Sequence, residues 1–164
     1  MKALPIWVSS ARRSRSASVE KLSTSVSLTV SPDDRFLGIG DGDSTTDRLV
    51  LVPVAGGAPR ELYRASRPEG LDGYRMIWTR DSRALIVPKL LDANGERKEL
   101  WLVPVEGGQP RKLDIDVNNW ILPGGGFQLH PDGRRIAFSA DDAAQSGPEV
   151  WAPDNVLPPA SARK

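Results

Sequence analysis

Residues 49–62, LVLVPVAGGAPREL, return at residues 100–113 as LWLVPVEGGQPRKL, and this recurrence decides how the chain reads. The copies stand 51 residues apart, with Gly56-Gly57 falling on Gly107-Gly108 and Pro59-Arg60 on Pro110-Arg111. A second element precedes each copy: SPDDRFLGI (31–39), then TRDSRALIV (79–87), and a third time HPDGRRIAF (130–138). Asp33, Asp81 and Asp132 mark its register. EVWAPDNVLP (149–158) extends the third copy and aligns Trp151 with Trp101. PIWVSS (5–10) and VEKLS (19–23) resemble the later half of a repeat, so the first copy starts midway. Self-similarity at this spacing is the mark of a repeat architecture.

Each repeat holds four short segments with period-two alternation, the pattern of half-buried strands. Leu28 and Val30, Met76 and Trp78, and Phe127 and Leu129 take one face of the first segment. Leu37 and Ile39, Leu85 and Val87, and Ile136 and Phe138 do so in the second. The third segment, such as Leu100 to Val103, is apolar throughout, which predicts burial on both faces and places Trp101 and Trp151 in the core. The fourth is brief, around Leu62 and Leu113. Pro131-Asp132-Gly133 predicts a tight turn, because Pro presets φ, Asp bonds the backbone ahead and Gly tolerates positive φ. The Gly-Gly pairs predict hairpin turns between third and fourth strands. Fourteen prolines and fifteen glycines leave little room for long helices.

Four antiparallel strands repeated every ~40–50 residues predict an all-β chain, a partial β-propeller of about three four-stranded antiparallel blades. Its expected parts are a partial blade with a basic loop over 1–26, blades over 27–65 and 74–115, a three-stranded last blade over 126–158, and a tail over 159–164. The motifs resemble the TolB-like propeller repeat, a relative of the WD repeat. Its pattern runs roughly W-S-P-D-G-x-x-I-A-F, then E-L-W-V, then G-G-x-P-R-x-L. HPDGRRIAF is close to it, whereas Asp34 and Ser82 stand where glycine is expected and Thr79-Arg80 replaces Ser-Pro. The resemblance spans roughly residues 5–158. The ending E-V-W-x-x-x-N-x-L-P also resembles the C-terminus of propellers in bacterial proteins, some with a Ser/Thr kinase domain upstream.

Charge narrows the partners. Lys and Arg number 22 and Asp and Glu 21, a net charge of +1. This balance argues against nucleic acid or an anionic membrane, which need a basic surface. The cluster Arg12, Arg13 and Arg15 reads as a solvated loop. No cysteine is present, which excludes disulfides, thiolate metal sites and Cys nucleophiles. No apolar run approaches the ~18 residues of a membrane helix. The apolar stretch in MKALPIWVSSARRS is too short for a good signal peptide, and the compartment stays open.

Catalytic motifs are not found. There is no G-x-S-x-G elbow, G-x-G-x-x-G, H-R-D or D-F-G. The single histidine, His130, holds the Ser/Thr position of the turn motif, which predicts a structural hydrogen bond. Asp41, Asp43, Thr45 and Asp47 in DGDSTTD imitate half a calcium loop, but Thr46 and Val52 stand where glycine and glutamate belong, so a solvated loop is expected. No metal and no cofactor are expected. The residues that break the repeat lie in segments 40–47, 64–73, 89–98, 114–125 and 139–147, expected as loops at one end of the strands. They carry Arg64, Arg67, Asp72, Tyr74, Asn118, Asn119 and Trp120, the candidate binding residues. The same residues also fit ordinary loop positions with Trp120 partly buried.

The expected function is non-catalytic: presenting loops to a protein, peptide or small ligand. The alternatives are a regulatory propeller cut from a bacterial Ser/Thr kinase, or the accessory propeller of a peptidase. Three blades would leave apolar end faces, so a homodimer that completes a ring is also expected.

Overall fold

The computed structural model describes residues 6–10, 13–17, 25–72, 75–117, 127–141, 148–151 and 157. The fold is all-β and antiparallel. Strands β1 (Ile6–Ser10) and β2 (Arg13–Ala17) form a two-stranded hairpin. Strands β3 (Ser25–Val30), β4 (Phe36–Gly42), β5 (Thr46–Pro53) and β6 (Arg60–Ser66) form sheet I in chain order. Sheet II contains β7 (Gly70–Leu71), β8 (Ile77–Trp78), β9 (Ala84–Leu90), β10 (Lys98–Pro104) and β11 (Arg111–Lys112). Strands β12 (Gln128–Leu129), β13 (Ile136–Asp141) and β14 (Pro148–Trp151) make sheet III. In sheet II both β7 and β8 pair with β9, at Leu90 and Lys89 and at Ile86 and Leu85, so its first strand is interrupted between Leu71 and Ile77. Successive four-stranded meanders of this kind are consistent with a partial propeller.

Three turns share one construction. Asp34 N–H donates to Ser31 C=O at 2.9 Å, Ser82 N–H to Thr79 C=O at 3.0 Å, and Gly133 N–H to His130 C=O at 2.8 Å. The first residue's side chain braces each turn. Ser31 Oγ donates to Asp33 Oδ1 (2.6 Å) and accepts the Phe36 N–H (2.9 Å). Thr79 Oγ1 does the same with Asp81 Oδ1 (2.7 Å) and the Ala84 N–H (3.0 Å). His130 Nδ1 accepts the Asp132 N–H at 3.2 Å, so the histidine has a structural role in its turn. The fourth residue is left-handed in all three, with φ of 59° at Asp34, 58° at Ser82 and 69° at Gly133. Only the last is glycine, and a side chain in this region costs roughly 1–2 kcal/mol, less for Asp. Asp34→Gly is therefore expected to stabilise the chain by about 0.5 kcal/mol, the relief being partly offset by unfolded-state entropy. Chemical denaturation checks it, and a loss of 1 kcal/mol or more would contradict it. The Gly-Gly turns also form with positive φ, 92° and 132° at Gly56 and Gly57, and 101° and 112° at Gly107 and Gly108.

Alternation gives sheets I and II two apolar faces each, and the sheets stack through them. Leu49, Leu51 and Ala65 of sheet I meet Leu71, Met76, Trp78, Leu85, Val87 and Val103 of sheet II. Gly38 permits this approach, because a Cβ there would stand 3.1 Å from Leu85 Cδ1. The other face of sheet II gives Ile86, Leu100 and Leu113 to a second cluster with Phe127 and Ile136. Neighbours on β9 thus point to opposite clusters, as strand geometry requires.

Trp101 is the exception to the expected core. It is half-buried at the margin of the first cluster rather than inside it. Its indole Nε1 donates to Glu99 Oε2 at 2.9 Å, its ring lies 6.5 Å from Tyr63, and Lys89 Nζ sits 4.9 Å from its centroid. A buried indole N–H needs an acceptor, and at the margin the Glu99 carboxylate supplies it. The side chain of Trp151 lies outside the described residues.

Candidate binding end

The sheets have two dissimilar ends. The repeated turns occupy one, and they interlock. Asp33 N–H donates to Ser82 Oγ of the neighbouring turn at 3.1 Å, and the Arg60 guanidinium reaches across to the Val105 carbonyl. The other end carries connections that differ between repeats: 43–45, 67–69 and 91–97.

These connections are shorter than expected because the strands run further. Residues 64–66 belong to β6, and 70–71 form β7. Positions 89–90 belong to β9, and 40–42 to β4. Each connection is held by its own carboxylate. Asp43 Oδ1 accepts the Thr45 hydroxyl at 2.7 Å and the N–H groups of Thr45 and Thr46 at 2.8 Å. Asp92 accepts the N–H groups of Glu96 (3.0 Å) and Arg97 (3.1 Å). Asp47 Oδ2 receives Arg67 Nη1 at 2.7 Å and the Leu71 N–H at 2.9 Å, tying the connection between sheets I and II to β5. Asp41 is buried and paired with Arg48. The carboxylates of DGDSTTD are thus each engaged by groups of this chain. Among the described residues no group of three or more His, Cys, Asp and Glu could hold a metal ion.

The candidate residues divide. Arg64 lies in strand β6 instead of a loop, forked onto Glu61 at 2.9 and 2.5 Å. Arg67 and Asp72 flank β7. Arg67 is held by Asp47, while Asp72 pairs with Arg75 and donates its N–H to Pro88 C=O at 2.9 Å. Tyr74, Asn118, Asn119 and Trp120 lie outside the described residues. The structure adds Lys89, only 9% exposed, which pairs with Glu69 at 2.9 Å and covers the Trp101 ring. Lys112 pairs with Glu99 at 2.8 Å beside it. A lysine inside the apolar run ALIVPKLL was the available signal, since a charge buried in a strand needs a partner.

The charges set a pH dependence. The Ser31 hydroxyl holds Asp33 below its ordinary value, and the Thr45 hydroxyl with two N–H groups does so for Asp43. Burial opposes the charge on Asp92, but the Arg97, Glu96 and Gly95 N–H groups prevail and lower it. The Arg134 N–H, helped by Arg135, puts Asp132 far below the usual carboxylate range. The folded chain therefore binds fewer protons than the unfolded chain near pH 4. Their contribution is complete above about pH 4 and is lost as the pH falls further. Burial works against the Lys89 charge, yet Glu69 and Tyr63 outweigh it and raise its pKa. Its contribution is complete below about pH 10 and is lost on passing above. The denaturation midpoint should fall at both extremes, and Asp132→Asn should flatten part of the acid limb. An unchanged acid limb in that variant would contradict the assignment.

A comparison with protein-family models finds no matching family, and a comparison with curated proteins finds no match.

Proposed function

We propose that this chain is a non-catalytic binding module, part of a TolB-like propeller, that presents its loop end to a protein or peptide. The observation that carries this reading is the contrast between the ends. The turn end is repetitive and interlocked, whereas the described connections of the loop end differ from one another and are braced by Asp43, Asp47 and Asp92. Non-repeating loops fixed on a rigid scaffold lose little entropy on binding, which is what recognition rewards. Their charges are mixed, with Glu69, Asp92 and Glu96 beside Arg67 and Arg97, which suits a protein surface better than a polyanion.

A displayed-peptide library selected on the immobilised chain tests the reading. Selected binders should weaken on Glu96→Ala and Arg97→Ala at the loop end, and should keep their affinity for Arg80→Ala at the turn end. Binders that respond only to Arg80→Ala, or a selection that yields none, would overturn it.

A further inference from the structure

The face of sheet I turned away from sheet II is unevenly covered. Leu37, Ile39, Val50 and Val52 on β4 and β5 are buried, whereas Leu28 and Val30 on β3 are 56% and 48% exposed. Among the described residues these two are the exposed large hydrophobics. The repeat aligns them with Met76 and Trp78, 48 residues later, and both of those are buried.

What buries the later pair is visible in the chain. Trp78 Nε1 donates to the Thr29 carbonyl at 3.3 Å, and its neighbour Leu85 lies against Gly38. The same contact recurs one sheet on, where Phe127 and Leu129 pack in a cluster with Ile77 and Ile86, the equivalents of Thr29 and Gly38. Sheet III carries the receiving positions a third time. Gln128 and Ala137 are directly paired on β12 and β13, opposite in face to Leu129 and Ile136. Gln128 is exposed and Ala137 half-buried, a small residue where Gly38 stands in sheet I. The chain therefore contains two worked instances of one interface and both halves of a third.

We propose that Leu28 and Val30 of one copy pack on the Gln128 and Ala137 face of a second copy, head to tail, repeating the internal contact. Two such contacts related by a two-fold axis close a dimer. This proposal stands independently of what the loop end binds.

Light scattering on the full chain at tens of micromolar tests it, with circular dichroism to confirm the β fold of each variant. The wild type should run at about twice 17.8 kDa. The double variant Leu28→Ser, Val30→Ser and the separate variant Ala137→Arg should each fall about twofold in mass, toward the monomer. Leu28 and Val30 are exposed and Ala137 is half-buried, and either variant alone suffices for the reading if the other fails to fold. An equimolar mixture of the two retains one intact contact and should recover dimer. A monomeric wild type, a dimer that neither variant shifts, or a mixture that stays monomeric would each overturn the proposal.

Discussion

Trp78→Ala is expected to destabilise the chain by about 3–5 kcal/mol, the largest single effect expected among the described residues. The indole is buried between sheets I and II among Leu49, Leu51, Leu85 and Val103. Truncation removes its transfer free energy and leaves a cavity. The surrounding strands cannot close it, because both backbones are fixed by sheet pairing on β9 and β4. It also removes the only bond described between an indole of sheet II and the Thr29 carbonyl of sheet I. Urea denaturation measures the loss, and a cost below 1 kcal/mol would show that the I–II interface is not the main cluster.

Leu100→Ala should cost about 2–5 kcal/mol, more than Trp101→Ala next to it at about 1–2 kcal/mol. The order is the reverse of side-chain size. Leu100 is fully buried in the II–III cluster, whereas Trp101 is half-buried and held by Glu99, Tyr63 and Lys89. Side by side in one host, the two variants separate depth from bulk. A greater loss at Trp101 would restore it to the core.

The strands and turns were legible because period-two alternation and turn chemistry are local. The repeated Asp-x-Arg turns and the Gly-Gly hairpins follow from residues at fixed offsets, and the sheets carry them at those places. Trp101 was misplaced because a uniformly apolar segment does not reveal which side chain reaches the interior and which rests at a margin. Arg64 was read as a loop residue because 64–73 breaks the repeat after a brief fourth strand at Leu62, yet the pairing of β6 with β5 continues to Thr46 and Ser66. The partners Asp47 and Arg67, or Glu69 and Lys89, lie 20 residues apart in each case, and no local pattern links them.

Sheet II has a neighbour on both sides, and the interlocked turns extend that coupling to sheet I. Such a stack behaves as a one-dimensional chain of nearest neighbours, in which each unit is stabilised mostly by the units it touches. Opening the middle sheet breaks two interfaces, whereas fraying an outer one breaks fewer. Amide protons of β9 and β10 should thus exchange only on global unfolding, while those of β3 and β14 exchange through cheaper local openings.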